Sequence, residues 1–166
     1  MKIKLFYLLL IPLFSISFQS CSEDEDSYAE WKQENEVFID KIKNNPEYRQ
    51  DSIPQGPGII YYNDREGVEG GTGLYPIYTS KVKVRYKGSL IDGSVFDDSS
   101  ERTVELSVNG VVSGFAVALQ KMQVNEKRKI YIPWQLGYGS SGTSTGKIKP
   151  YSALIFEVEL CEISEY

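Results

Sequence analysis

No histidine occurs among the 166 residues of this chain, so none of its side chains can supply an imidazole as a base or a metal ligand. Without an imidazole, Ser-His-Asp and Cys-His nucleophilic sites and histidine-ligated zinc sites are excluded. The carboxylates from Glu23 to Asp26 could bind calcium weakly, but their spacing does not match a calcium-binding loop. We therefore expect neither a metal nor a cofactor.

Cys21 is the residue whose surroundings indicate a covalent modification. It follows two lysines and an apolar stretch, residues 5–18, which has the length of a signal-peptide core and is shorter than the roughly 20 residues of a spanning helix. The sequence Phe18-Gln19-Ser20-Cys21 resembles a bacterial lipobox, in which a peptidase cuts before the cysteine and the thiol carries a diacylglycerol. We expect Cys21 to be a lipid anchor to the membrane. The alternative is that Cys21 merely ends an ordinary signal peptide.

The residues after Cys21 are acidic, and the whole chain carries a formal net charge of −5. The run from Ser22 to Asp26 resembles the signal that sends lipoproteins of Bacteroidetes-type bacteria to the outer face of the outer membrane. A solvated tether is the alternative interpretation. We expect a surface-exposed outer-membrane lipoprotein, with a periplasm-facing one as the alternative. No nucleic-acid partner is expected, because the sequence lacks a basic patch with interleaved aromatic residues.

The elements that must position a site begin with one amphipathic helix. Trp31, Asn35 and Phe38 recur on one face, which predicts a helix over 28–43. Its apolar face would pack on the rest of the domain, and binding to a partner is the alternative. Residues 49–58 are rich in proline and glycine and are predicted to form a loop.

Beyond residue 57, apolar and polar residues alternate, which predicts strands. The segments with this pattern are 59–62, 81–86, 104–108, 130–134 and 154–161. Phe115, Leu119 and Met122 instead recur at helical spacing. We predict an α+β fold, an antiparallel sheet wrapped around one short helix. The predicted divisions are a signal peptide (1–20), an acidic tether with helix and linker (21–56), and one folded domain (57–166).

Short motifs in this domain occur in a characteristic order. They are Val84-Arg85-Tyr86-Lys87-Gly88-Ser89-Leu90, Asp92-Gly93, Phe96-Asp97, Gly114-Phe115, Tyr138-Gly139 and the segment 150–160. In order and spacing, residues 57–163 resemble the FK506-binding-protein (FKBP) class of peptidyl-prolyl cis/trans isomerases. The resemblance implies a half-open sheet with a hydrophobic pocket between its concave face and the helix. It also implies isomerase activity, proline-containing polypeptide clients and a macrolide-type ligand.

The same resemblance implies which side chains form the pocket. The predicted catalytic residues are Asp97, Tyr138, Phe115 and Tyr86. The predicted substrate-binding residues are Phe96, Arg102, Val111, Val112, Ile148 and Phe156. The apolar side chains would seat the proline ring, and Asp97 would orient the polar edge. The Tyr138 hydroxyl and the Val112 backbone amide would bond the substrate carbonyls.

Four features depart from the family pattern. Phe115 stands where a tryptophan usually forms the pocket floor, and Val104 stands where many members have an aromatic residue. Lys149 replaces the first proline of a common Pro-Pro pair, and the loop 140–147 is one residue longer. We expect these departures to affect catalytic efficiency more than membership of the family.

Each pocket residue also has an ordinary structural interpretation. Tyr86, Phe96 and Phe156 could be core residues, and Asp97 could belong to an Asx-turn. Three functions stay open: a membrane-anchored prolyl isomerase for extracytoplasmic clients, a peptide-binding or chaperone module with little catalysis, and a structural lipoprotein whose helix 28–43 docks a partner. The joint order of the motifs favours the isomerase.

Overall fold

A computed structural model describes residues 27–54, 56, 58–66 and 73–166. Within these ranges, the α-helices are α1 (Ala29–Lys43) and α2 (Ser113–Gln120). The strands are β1 (Arg49–Ser52), β2 (Ile59–Glu66), β3 (Lys81–Ser89), β4 (Val95–Asp98), β5 (Val104–Ser107), β6 (Lys127–Ile132) and β7 (Leu154–Glu165). Cys21 and the acidic run after it lie outside the described residues. Within the described ranges, neither helix is long and apolar enough to cross a bilayer.

The seven strands found in the described part of the chain form one antiparallel sheet, as the α+β prediction requires. The strand order is β1-β2-β6-β7-β3-β4, and β5 pairs with β3 on the same edge as β4. The ladder between β3 and β7 runs the full length of β3, from Lys81 opposite Glu165 to Ser89 opposite Ile155. An Asp-Gly turn at Asp92-Gly93, with Gly93 at φ +83°, reverses the chain between β3 and β4.

Strand alternation places one set of apolar side chains on the concave face, where α2 covers them. The buried strand residues of this core are Ile60, Tyr62, Val82, Val84, Ile130, Ile132, Leu154, Phe156, Val158 and Leu160. Each such burial contributes about 1.5–3 kcal/mol. The helix approaches closely because Gly114 has no side chain, and a Cβ atom there would clash with Ile132 Cγ2. The core therefore consists of one sheet face and one short helix.

Helix α1 packs on the opposite, convex face of the sheet, so the interpretation that it binds its own domain is confirmed. Ile42 lies in a small buried cluster with Tyr61 and Tyr131. Near the middle of the helix, Asn35 is fully buried, and its Oδ1 accepts a 2.7 Å hydrogen bond from the Ala153 backbone amide. The Trp31 indole also donates to Ser152 Oγ at 3.0 Å.

Strand β1 lies within residues 49–58, where the sequence predicted a loop, so that prediction is wrong for Arg49–Ser52. This segment pairs with β2, from Arg49 opposite Tyr62 to Ser52 opposite Ile59. Arg128 explains the pairing, because its buried guanidinium donates to Asp51 Oδ2 at 2.6 Å and also forms an ion pair with Glu126. A buried charge needs such partners, and Asp51 supplies one from β1.

Two strands end earlier than the alternation predicted. Strand β6 stops at Ile132, because Pro133 has no backbone N–H to continue the ladder, and Trp134–Leu136 forms a 3₁₀ turn. Strand β5 stops at Ser107, and Val108–Gly110 forms a second 3₁₀ turn that leads towards α2.

Replacing Asn35 tests how strongly α1 is held to the sheet. Asn35→Ala should lower the free energy of unfolding by about 1–3 kcal/mol, because the buried Ala153 N–H would lose its acceptor. Urea unfolding measures this change. Glu34→Ala is the control, because Glu34 is exposed on the same helix and its loss should change stability by less than about 0.5 kcal/mol. Equal stability of the two variants would contradict the conclusion that the Asn35–Ala153 hydrogen bond holds α1 to the sheet.

Candidate functional site

A cavity of about 370 Å³ lies between the concave face of the sheet and the start of α2. Strands β3, β4, β5 and β7 contribute to it, together with α2, the turn before α2 and the loop between β6 and β7. It is lined by Tyr86, Phe96, Asp97, Leu106, Gly110, Val111, Val112, Phe115, Tyr138, Thr143, Thr145, Lys147, Ile148 and Phe156. Nowhere in the described ranges do three or more His, Cys, Asp or Glu residues cluster as a metal site would require.

Four aromatic rings form the inner wall and floor of the cavity. Phe115 on α2 is 3% exposed, and its ring centroid lies 4.7 Å from that of Phe156 on β7. Phe96 contacts Phe156 edge-on at 5.4 Å, and Tyr86 contacts both Phe115 and Phe156 at about 6 Å. Tilted and edge-to-face contacts of this kind are favourable beyond the area they bury. The result is a rigid apolar surface that is large enough to receive a ring.

Gly88 makes room for two of these rings. It lies on β3 opposite Phe156 and opposite Asp97, the neighbour of Phe96. A Cβ atom at this position would lie 2.5 Å from Phe96 Cε2 and 2.9 Å from Phe156 Cε1. Real contacts are never that short, so a side chain at Gly88 would push the rings out of place.

Polar groups stand at the rim of the apolar cavity. The Tyr86 hydroxyl donates a 2.6 Å hydrogen bond to Asp97 Oδ2. Burial, and then this bond to the carboxylate, raise the pKa of Tyr86 above its ordinary value of 10.0. Tyr86 therefore stays protonated at physiological pH and holds Asp97 at the cavity edge. Tyr138 is 41% exposed, with its side chain also at the rim.

The loop between β6 and β7 brings Tyr138 and Ile148 to the cavity through its own hydrogen bonds. Thr143 N donates to the Ile148 carbonyl at 2.9 Å, and Ile148 N donates to Thr143 Oγ1 at 3.0 Å. Gly142 has φ +64°, a conformation that glycine adopts without strain. The loop is therefore a folded part of the site wall.

All of the predicted pocket residues except Arg102 line this cavity. Arg102 is exposed and outside the lining, yet its charge lowers the pKa of Tyr86 against the larger raising effects. The cavity also includes residues that sequence reasoning missed, namely Leu106, Gly110, Thr143, Thr145 and Lys147. The alternation along β5 could have indicated Leu106, whereas the loop residues carry no periodic signal. The catalytic and binding roles of the predicted residues stay predictions.

The structure decides between two interpretations of Asp97. The Asx-turn belongs to Asp98, whose Oδ1 accepts bonds from Ser100 N at 2.9 Å and from Ser100 Oγ at 2.6 Å. Asp97 instead bonds the Tyr86 hydroxyl. For Tyr86, Phe96 and Phe156, the core and pocket interpretations both hold. Phe156 is buried in the core, Tyr86 and Phe96 are partly buried and pack against it, and all three line the cavity.

Comparison with known proteins places this geometry in a family. The family model for FKBP-type peptidyl-prolyl cis-trans isomerase matches residues 76–161. The FKBP-type 22 kDa peptidyl-prolyl cis-trans isomerase of Escherichia coli is 46% identical over 98 residues, which cover 58% of this chain and 47% of that protein. This chain thus spans less than half the length of that relative.

Two further similarities cover more of the chain. The macrophage infectivity potentiator of Trypanosoma cruzi is 30% identical over 164 residues, which cover 97% of this chain and 79% of that protein. The crystal structure of a peptidyl-prolyl cis-trans isomerase from Pseudomonas syringae matches with a TM-score of 0.70 and 29% identity, over 83% of this chain and 96% of that one.

A side chain at Gly88 should disturb the aromatic wall. We expect Gly88→Ala to lower the free energy of unfolding by about 1–3 kcal/mol, because the rings of Phe96 and Phe156 must shift. Thermal or urea unfolding measures the effect. Gly110→Ala is the matched control, since a Cβ atom there meets only Ser107 Cβ at an ordinary 3.6 Å. If both variants were as stable as the wild type, the aromatic wall would accommodate a methyl group at Gly88, and the prediction would be wrong.

Proposed function

The chain belongs to the FKBP-type peptidyl-prolyl cis-trans isomerase family, and from this premise we propose that it accelerates rotation about X-Pro bonds in proline-containing polypeptides. The observation that carries the proposal is the cavity itself. Its floor is formed by the apolar rings of Phe115 and Phe156, and the Tyr86–Asp97 pair stands at its edge. The chain has no histidine, so a Ser-His-Asp or Cys-His site cannot account for its activity.

The proposed chemistry needs no covalent step. Rotation about an X-Pro bond loses amide resonance, over a barrier of about 18–20 kcal/mol, and takes tens to hundreds of seconds unaided. The planar imide is charge-separated and is stabilised by water. An apolar cavity that removes this water raises the ground state relative to the twisted state. Groups that fit the twisted imide better than the planar one stabilise the transition state further.

Each of the site residues predicted from the sequence has a role in this proposal. Phe96, Phe115, Phe156 and Val112 seat the proline ring. The Tyr138 hydroxyl and the Val112 backbone N–H bond the substrate carbonyls on either side of the proline, and Asp97, held by Tyr86, orients the polar edge. Val111 and Ile148 extend the apolar walls, and Arg102 acts through its charge on Tyr86. The same surface would accept a macrolide-type ligand.

We further propose that the protein is a lipoprotein acting outside the cytoplasm. Three sequence features support this: the apolar segment 5–18, the lipobox-like sequence that ends at Cys21, and the acidic run after it. Two or more acyl chains are needed for stable anchoring, which a diacylated cysteine provides. In this proposal, extracytoplasmic polypeptides are the clients and the outer membrane is the location.

Isomerase activity tests the first proposal. Asp97→Leu and Tyr138→Phe should each lower kcat/KM about five- to 150-fold, the effect of removing one hydrogen bond of about 1–3 kcal/mol from the transition state. Exchange NMR on a short Ala-Pro peptide measures the rate without a coupling protease.

Two exposed residues outside the cavity lining supply the controls. Tyr166→Phe and Glu101→Leu make the same chemical changes and should leave kcat/KM within about twofold of the wild type. If the folded wild type did not accelerate isomerisation, the enzyme proposal would be wrong, and a peptide-binding module would be the better account. If the activity survived both site changes, the assigned roles would be wrong.

Mass spectrometry of protein extracted from its native membrane tests the lipid anchor. We expect the mature chain to begin at Cys21 and to carry the added mass of diacylglycerol. Cys21→Ser should lose this mass and leave the membrane fraction, whereas Cys161→Ser, which alters the other cysteine, should retain both. An unmodified Cys21 would contradict the anchor. Protease treatment of intact cells then distinguishes a surface-exposed from a periplasm-facing protein.

A further inference from the structure

A second groove, of about 410 Å³, runs along the outer side of α2. Its floor consists of Ser113, Ala116, Val117 and Gln120, which recur at helical spacing and therefore share one face of the helix. The small side chain of Ala116 leaves a recess between its larger neighbours. This groove is separate from the aromatic wall of the first cavity.

The polar side chains of the groove floor are already bonded within the chain. Gln120 Nε2 donates to the Ala116 carbonyl at 3.0 Å, and Ser113 Oγ donates to the Leu136 carbonyl at 3.2 Å. The surface left for an occupant is therefore mostly hydrocarbon. An apolar side chain suits it better than a charged one, since a charged group would lose water there without gaining a partner.

Two separate segments form the walls of the groove. Ile53 and Pro54, in the turn after β1, form one wall, and Tyr78 forms the other. Tyr78 lines the groove and is 60% exposed, so much of its side-chain surface can pack against an occupant. Ile53 and Pro54 lie outside residues 76–161, so the family match does not extend to this wall.

Val111 connects the groove to the first cavity, because it lines both. A polypeptide whose proline occupies the first cavity could therefore extend over the Val111 side chain into the groove. An extended chain advances about 3.5 Å per residue, so a residue roughly two to four positions from the proline would reach it. This continuity points to a further part of the same polypeptide as the occupant.

We propose that the groove is a specificity subsite, which binds a bulky apolar side chain located roughly two to four positions from the proline of a client. Tyr78 is its specificity-determining residue, since it is the exposed aromatic ring of the wall. The inference rests on the proposed isomerase function. It also narrows the client class to unfolded segments in which a proline and a large apolar residue are near each other but not adjacent.

Pairs of peptides test the subsite. Each pair has one Ala-Pro bond, with Phe or Ala at one position two, three or four residues before or after the proline, and the full chain is assayed by exchange NMR. At one of these positions we expect Phe to raise kcat/KM about tenfold over Ala, chiefly through a lower KM. In Tyr78→Ala, the ratio of kcat/KM for the Phe peptide to kcat/KM for the Ala peptide should fall close to one.

Tyr166→Ala is the matched control, because Tyr166 is also a tyrosine, is 56% exposed and does not line the groove. It should retain the preference for Phe. Tyr138→Phe should slow both peptides of a pair and leave their ratio unchanged, which separates catalysis from the subsite. Equal kcat/KM values at every position, or a preference that survives Tyr78→Ala, would overturn the inference.

If the wild type did not accelerate isomerisation of any peptide, the proposed isomerase function would be wrong, and the subsite would be decided by binding alone. Fluorescence anisotropy with the same peptides, labelled, would then decide the inference. Tighter binding of the Phe peptide that is lost in Tyr78→Ala would support the subsite, and equal binding of both peptides would overturn it.

Discussion

The contact between Phe115 and Phe156 is the constraint on which the cavity depends. It joins α2, which covers the concave face, to β7, the longest strand among the described residues, with ring centroids 4.7 Å apart. Both rings belong to the buried core, and both also form the cavity floor. Since the interior is closely packed, the shape of the cavity cannot change without a change in the core. Stability and binding geometry thus depend on the same atoms.

Charged groups are kept away from this floor. The hydroxyl and carboxylate of Tyr86 and Asp97 meet at the cavity edge, where water can still reach them. The buried ion set of Arg128, Glu126 and Asp51 instead lies where β1 joins the sheet. Removing one member of such a set leaves an uncompensated charge, so the set holds only when it is complete. The ion pair with Arg128 therefore holds β1 against the sheet, although β1 has no apolar side chain to bury there.

The parts of the fold with periodic sequences could be predicted, and the others could not. Alternation along β7 and helical spacing in α2 indicated the core, and the ordered motifs indicated most of the cavity lining. Strand β1 consists of Arg49, Gln50, Asp51 and Ser52, which are all polar, so it lacks the alternation of apolar and polar residues that predicts a strand. Its pairing depends on Arg128, 77 residues away along the chain. The threonines of the cavity loop are positioned by bonds within that loop, which leave no periodic signal.

The bond between Asn35 and Ala153 spans 118 residues and ties α1 to the residue just before β7. Because a ribosome makes the chain from its N-terminus, α1 emerges long before its docking site exists. The acceptor Asn35 Oδ1 stays without its Ala153 partner until residue 153 has been made. Pairings between distant residues also slow folding, because a long loop must close before they form. The native state is therefore reached only after synthesis of nearly the whole chain.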